Sequence, residues 1–312
     1  MSNMLQKPAI RTALALTACI LWGSAIPCIK LGYRLFHMQQ SSVGDKLVFA
    51  GIRFMLAGSL ILLIIGILKR TSVIPARSNL LKILLLSSVQ TVLQYVCYYI
   101  GLANTAGTTS AIITGSAIVF STCFASIFFK AERLTMKKVI GAMIGFCGIL
   151  IASTSTGSWK VSFTSNGEVM LLMSSIAFGL STVISKWVTT YEAPFRTSGW
   201  QLLIGGGILC LIGILAGGSL PQSDWQGWVM MGYLVLISTV AYILWTALLD
   251  VNPVISVVIF YAVEPIVGVL LSAIILNEPL VLKKNMLGLL CVVLAIVIVN
   301  RPERKRTDAA EE

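Results

Sequence analysis

The sequence contains few charged residues and no recognisable catalytic motif. Asp, Glu, Lys and Arg make up 11% of its 312 residues, and His37 is the single histidine. Its seven cysteines form no Cys-x-x-Cys pair, and the chain has no HExxH motif, Walker-type phosphate loop or GxSxG elbow. We therefore expect no enzyme, no catalytic residues, no metal and no cofactor, and the missing ATP site argues against ATP-driven transport.

What the chain has in abundance is apolar sequence. Its residues are 57% hydrophobic and its mean hydropathy is +0.90, values that soluble domains do not reach. A membrane-spanning helix needs about 20 apolar residues, and runs of that length predict about ten transmembrane helices. The runs are 12–32, 47–68, 80–102, 107–129, 135–153, 167–187, 197–217, 226–248, 252–276 and 284–300. The sequence thus predicts an all-α polytopic protein of the cell membrane, surrounded by the lipid bilayer.

The net charge of +11 does not indicate a nucleic-acid partner. Lys and Arg separate the apolar runs and are not gathered on one basic module. They are more numerous in the connections that are cytoplasmic if the N-terminus is cytoplasmic, as the positive-inside rule requires. Both termini are therefore predicted to be cytoplasmic, including a charged tail at 301–312.

An internal repeat is the most informative feature of the chain. The segment that ends at Glu132-Arg133-Leu134 aligns with the one that ends at Glu278-Pro279-Leu280, 146 residues later. The segment from Gly51 aligns with that from Ser198 at an offset of 147, and Trp22 aligns with Phe178 at 156. Two units follow, 10–153 and 165–300. Because each has an odd number of helices, the two five-helix repeats are predicted to be inverted, which is the architecture of alternating-access transporters.

These residues resemble the drug/metabolite transporter superfamily, and in particular EamA-type transporters with two tandem EamA domains. The resemblance rests on Trp22-Gly23-Ser24, Arg53-Phe54, Gly101-Leu102 and the two Glu-containing turns at Glu132 and Glu278. It implies a secondary exporter or exchanger of small metabolites. The family often has a proline in the fourth helix, where this chain has Val119; Pro265 occupies the equivalent place in the ninth. A stiffer, less kinked fourth helix is therefore expected.

Glu264 is the sharpest candidate for substrate binding or ion coupling. It lies near the middle of the ninth run, where an ionisable group is costly unless it faces a cavity or a partner. Pro265 follows it and leaves the carbonyl near Tyr261 without its helical partner, so Pro265 is a candidate hinge. The alternative is a structural carboxyl bonded to the helix that carries Tyr242 and Trp245.

Polar and aromatic side chains in other runs are candidates for a cavity wall. Gln90, Gln94 and Tyr98 are spaced four residues apart, which in a regular helix places them on one stripe. Inter-helix bonding or interfacial anchoring is the alternative. Further aromatic candidates are Trp22, Trp245, Tyr242 and Tyr261. Arg53 is expected to extend to the lipid headgroups, with an anion contact or ion pair as the alternative.

The function predicted from these features is secondary transport of small metabolites by alternating access, with export or exchange of amino-acid-like compounds. A multidrug or cation efflux transporter is the alternative within membranes, and a membrane-embedded enzyme or receptor the alternative of another class. Proton coupling through Glu264 and a homodimer stay open as further expectations.

Overall fold

The structure is a computed structural model that describes residues 2–38, 42–69, 72–128, 164–219, 222–278 and 282–300, with a few isolated positions between 136 and 151. These residues are helical and contain no β-strand. Eight of the described helices are long and apolar enough to cross a membrane. They are α1 (Pro8–Leu35), α2 (Val43–Lys69), α3 (Arg77–Asn104), α4 (Gly107–Phe128), α5 (Glu168–Thr189), α6 (Pro194–Leu215), α7 (Trp225–Val251) and α8 (Val254–Leu276). The all-helical prediction is confirmed for this part of the chain.

The predicted count of ten helices is not tested throughout. Helix α9 (Leu282–Asn300) corresponds to the tenth run, and its apolar stretch is Met286–Ala295. The fifth run, 135–153, lies mostly outside the described residues, as do the turn at Glu132 and the tail at 301–312. Ten helices therefore stays a prediction.

The outward surfaces of the helices carry large apolar side chains. Leu63, Ile67, Leu81, Leu215 and Ile274 are each more than half exposed. In water, apolar surface of this extent favours aggregation, whereas lipid tails solvate it without cost. The exposed apolar surface therefore fits a protein whose helices face a bilayer.

Helices α2 and α6 are antiparallel and in very close contact. A Cβ atom added to Gly51 would lie 2.7 Å from the carbonyl oxygen of Gly206, which is closer than a real side chain allows. Two further glycine pairs, one toward each end of the helices, make the same kind of approach. The three pairs are Gly44 with Gly213, Gly51 with Gly206 and Gly58 with Gly199. Because the numbering rises along α2 as it falls along α6, these repeat-matched helices cross in opposite directions.

Helices α4 and α8, which the repeat also matches, pack against each other in opposite directions. Gly107 approaches Ser272, Gly268 approaches Ala111, and further along the hydroxyl of Thr114 reaches Glu264. Small residues on both helices permit this approach, as is usual for helix contacts inside membranes.

Both α4 and α8 are interrupted near their middles. Helix α4 breaks at Gly115 and Ser116, between the segments Gly107–Thr114 and Ala117–Phe128. Helix α8 narrows to a 3₁₀ turn at Ile259–Ala262, just ahead of Pro265, which is where the missing proline N–H predicts a distortion.

The expectation of a stiffer, less kinked α4 is wrong. No proline lies near the break at Gly115 and Ser116. Instead, hydroxyl side chains on either side of Gly115 bond to carbonyls of the helix: Thr114 donates to the carbonyls of Ser110 and Ala111, and Ser116 donates to that of Ile113. Such back-bonding bends helices and satisfies the backbone locally. Hydroxyl side chains beside Gly115 thus replace the proline in the first half.

The ends of α3 and α7 have the same backbone geometry at positions 147 residues apart. Thr105 has φ −131° and ψ 148°, and Asn252 has −123° and 155°. The next residues, Ala106 and Pro253, have φ/ψ of −58°/145° and −58°/143°. The offset that aligns the second helices therefore also aligns the third ones.

Candidate functional site

A cavity lies between the two halves of the described chain. The first half contributes α1, α2 and α3 to its wall, and the second half contributes α5 and α8. The lining residues are Trp22, Ala25, Ile29, Arg53, Gln94, Tyr95, Tyr98, Phe178, Tyr261 and Glu264. The cavity has a volume of about 40 Å³, which holds a few water molecules but no amino acid.

Glu264 lies in this wall as expected, and only 3% of its surface is exposed. The hydroxyl of Thr114 lies 3.4 Å from Oε1, which makes at most a weak hydrogen bond. Oε2 has no hydrogen-bond partner in the described part of the chain. Tyr242 and Trp245, on the helix named above as the alternative structural partner, are not bonded to Glu264: the Tyr242 hydroxyl is bonded to Tyr95, and the Trp245 N–H has no hydrogen-bond partner among the described residues.

Arg53 does not extend to the lipid headgroups, so that interpretation is wrong. Its side chain is only 2% exposed and lines the cavity. Nε donates to the carbonyl of Leu234 at 3.1 Å and to the hydroxyl of Ser238 at 3.0 Å. Nη1 donates to the hydroxyl of Tyr99 at 3.2 Å. These neutral acceptors on α7 and α3 hold the guanidinium inside the protein, away from the lipid headgroups.

The predicted stripe on α3 is only partly present. Residues Ser88–Leu93 form a π-helical turn, which changes the angular register between Gln90 and Gln94. Gln94 and Tyr98 line the cavity, while Gln90 is fully buried away from its wall. The regular four-residue spacing therefore fails at Gln90, because an inserted π turn cannot be read from hydrophobic periodicity.

Trp22 is the centre of an aromatic cluster. Its ring centroid lies 5.1 Å from that of Trp245, 5.5 Å from Tyr242 and 5.9 Å from both Phe178 and Tyr261. These are ordinary edge-to-face separations. Trp22 and Tyr261 line the cavity, whereas Tyr242 and Trp245 are packed behind them and are almost fully buried. The last two therefore support the wall.

Five residues of the cavity wall were not among the predicted site residues: Ala25, Ile29, Arg53, Tyr95 and Phe178. A sequence signal existed for two of them, Phe178 and Arg53. Phe178 is the counterpart of Trp22 in the repeat, so the prediction that Trp22 lies in the cavity wall could have been extended to Phe178. Arg53 has apolar residues one helical turn away on each side, Phe49 and Ala57, which indicates burial.

A second polar contact joins the halves at the far end of α8. The carboxylate of Glu278 accepts hydrogen bonds from the backbone N–H groups of Gly107 at 2.7 Å and Thr108 at 2.9 Å. Lys30 Nζ lies 3.9 Å from the same carboxylate. Glu278, from the Glu-containing turn of the second half, thus caps the first turn of α4. Its counterpart Glu132 lies outside the described residues.

Helices with lipid-facing exteriors around a polar cavity define a multi-pass membrane protein. The profile of the EamA-like transporter family matches residues 10–154 and again residues 165–301. The chain belongs to this family, as its motifs indicated.

Relatives and a solved structure agree with this assignment. The chain is 28% identical to the uncharacterized transporter YvbV of Bacillus subtilis (strain 168), over 98% of this chain and 97% of that protein. It is 27% identical to the uncharacterized inner membrane transporter YedA of Escherichia coli (strain K12), over 90% and 87% of the two chains. A protein of known crystal structure, 16% identical, superposes with a TM-score of 0.66 over 92% of this chain and 95% of that one. This last likeness shows the fold.

Proposed function

We propose that the protein is a secondary transporter of small metabolites in the cell membrane, and that its substrates are amino-acid-like compounds that it exports or exchanges. One observation carries the proposal: residues from both halves line the same cavity, which contains a buried guanidinium and a carboxylate oxygen with no hydrogen-bond partner among the described residues. A carboxylate oxygen without a hydrogen-bond partner and a guanidinium without a counter-ion are both costly in a lipid-surrounded interior, so both favour a polar ligand at this place. The proposal includes no catalytic step.

Alternating access is the mechanism that the helix arrangement supports. Matched helices α2 and α6 are antiparallel, and so are α4 and α8, as two inverted repeats of five helices require. With ten helices and both termini cytoplasmic, the two halves can exchange conformations around the shared cavity. The breaks in α4 and α8 lie next to that cavity and offer hinge points, Pro265 among them.

Glu264 is the proposed coupling or substrate-binding group, with Gln94, Tyr98, Tyr261 and Trp22 completing the wall. Its carboxylate can accept the ammonium group of an amino acid, or it can bind a proton that is exchanged for substrate. The same carboxylate would suit efflux of a lipophilic cation against the aromatic wall. Arg53 in the same cavity disfavours that second function, because its positive charge repels a cation.

Counterflow in proteoliposomes tests the proposal. Purified protein is reconstituted into vesicles loaded with an unlabelled amino acid, a neutral sugar or a lipophilic cation, and uptake of the labelled compound is followed without ATP. We expect accumulation of label for amino acids. Failure of every compound in the panel to exchange would overturn the transporter proposal.

A matched pair of variants tests the role of Glu264. Glu264→Gln should abolish exchange, or remove its dependence on a pH gradient, while the protein remains folded. Glu168→Gln removes a carboxylate at the exposed start of α5, outside the cavity, and should leave exchange intact. Wild-type exchange with an unchanged pH profile in Glu264→Gln would eliminate Glu264 from both roles.

A further inference from the structure

Arg53 is a buried cation that has no counter-ion among the residues that the structure describes. Ion pairs join Lys30 to Glu278 and Arg196 to Glu192, and neither includes Arg53. Glu264 lines the same cavity, but no ion pair joins the two side chains. Arginine cannot shed its proton to escape this situation. A buried charge that is not paired carries a large desolvation penalty, so the site is electrostatically incomplete as it stands.

The guanidinium is held in one orientation by neutral groups. Its Nε edge is occupied by Leu234 and Ser238 of α7, and one N–H of Nη1 is occupied by Tyr99 of α3. The ring of Phe54 lies 5.1 Å from Cζ and supports the guanidinium plane. Nη2 makes no hydrogen bond with any described residue, and so the end of the fork remains available.

A carboxylate is the chemical group that this end of the fork fits. Its two oxygens can accept parallel hydrogen bonds from Nη1 and Nη2, and its charge compensates that of the guanidinium. A phosphate would carry more negative charge than one guanidinium compensates, and Glu264 in the same small cavity would repel the excess. A ligand with one carboxylate and one ammonium group matches both charged residues.

We infer that Arg53 binds the carboxylate of the transported molecule and thereby restricts transport to small compounds with a free carboxylate, an assignment that rests on the proposed function. The ammonium group of an α-amino acid then faces Glu264. An apolar side chain has Trp22, Phe178 and Tyr261 to pack against. Because the present cavity is smaller than any amino acid, the helices around it must separate when the ligand binds.

The test compares two forms of one ligand on two forms of the protein. L-Phenylalanine and L-leucine are compared with their carboxamides, L-phenylalaninamide and L-leucinamide, which lack the carboxylate but keep the α-amino group. The comparison is made in counterflow and in thermal stabilisation of the detergent-solubilised full chain. In the wild type, the acids should bind at least tenfold more tightly than the amides. In Arg53→Gln this preference should collapse toward equality, since the acid loses its partner and the amide loses nothing.

Two further variants separate recognition from a purely structural role. Arg34→Gln removes an exposed cation at the end of α1 and should keep the full preference for the acids. Arg53→Lys keeps the charge and loses the fork, so it should retain a weakened preference for the acids. It also serves as the informative variant if Arg53→Gln fails to fold.

Several outcomes would overturn the assignment. Equal use of acids and amides by the wild type would exclude carboxylate recognition while leaving the transporter proposal intact. If Arg53→Gln keeps the full preference for the acids, Arg53 has only a structural role, linking α2 to α7. If neither amino acid exchanges at all, the assignment fails, and exchange of a sugar or a cation then decides whether transport itself stands.

Discussion

The hydroxyl groups of Tyr95 and Tyr242 lie 2.9 Å apart and share a hydrogen bond between the two halves of the protein. The two residues are 147 positions apart, which is the offset at which α3 and α7 correspond. Each tyrosine is therefore bonded to its own counterpart. Trp22 and Phe178, another pair matched by the repeat, also touch, with ring centroids 5.9 Å apart. Contacts between equivalent residues occur only close to a symmetry axis, so these two contacts agree with the predicted pseudo-two-fold relation of the halves and would place its axis beside the cavity.

The Tyr95–Tyr242 bond should be measurable as a coupling energy. Removing either hydroxyl leaves the other buried without its partner, so Tyr95→Phe and Tyr242→Phe should each lower the free energy of unfolding by about 1 kcal/mol. The double variant should lose clearly less than the sum, because the second substitution removes no further bond. Unfolding in mixed detergent micelles measures this, with Tyr191→Phe, an exposed tyrosine, as the neutral control. Additive losses would show that the bond contributes nothing to stability.

The glycine contact between α2 and α6 makes a prediction with an internal control. A Cβ at Gly206 would lie 2.7 Å from the carbonyl of Gly51, whereas a Cβ at the neighbouring Gly207 meets nothing within 4 Å. Gly206→Ala should therefore force the helices apart and destabilise the protein by about 1–3 kcal/mol. Gly207→Ala should be neutral or slightly stabilising, since alanine favours the helix. Thermal unfolding in detergent compares them, and equal stability of the two variants would contradict the close contact.

The features that the sequence predicted are those that depend on composition and period. Apolar runs located the helices, and the repeat matched helices that the structure finds in contact. Glu264 could be singled out because a carboxylate inside an apolar run has few acceptable surroundings. Site residues whose placement depends on exact angular register were harder to predict: Gln90 lies within the π turn Ser88–Leu93, and no sequence pattern indicated that turn. The break in α4 was missed for a related reason, because hydroxyl back-bonding beside Gly115 is a weaker sequence signal than proline.

The cap on α4 should depend on Glu278 much more than on Lys30. Glu278→Gln loses the negative charge at the first turn of α4 and one of its two oxygen acceptors, which should cost about 1 kcal/mol of stability. The Lys30 contact is 3.9 Å long and partly exposed, so Lys30→Met should cost less than about half as much. Unfolding in mixed micelles again provides the measurement. A larger loss in Lys30→Met than in Glu278→Gln would assign the stabilisation to the ion pair and not to the cap.

The inverted arrangement predicts that the two Glu-containing turns lie on opposite sides of the membrane. Because Glu132 and Glu278 follow matched helices in the two halves, and matched helices α4 and α8 run antiparallel, one turn must face the cytoplasm when the other faces outward. Single cysteines at Arg133 and Leu280, in a background without the native cysteines, report this through a membrane-impermeant thiol reagent. With cytoplasmic termini, intact cells should label the cysteine at 280 and protect that at 133 until the membrane is permeabilised. Labelling of both cysteines from the same side would disprove the inverted arrangement, and with it the symmetric exchange of conformations on which alternating access depends here. The reversed pattern, with 133 labelled and 280 protected in intact cells, would retain the inverted arrangement and place the termini outside.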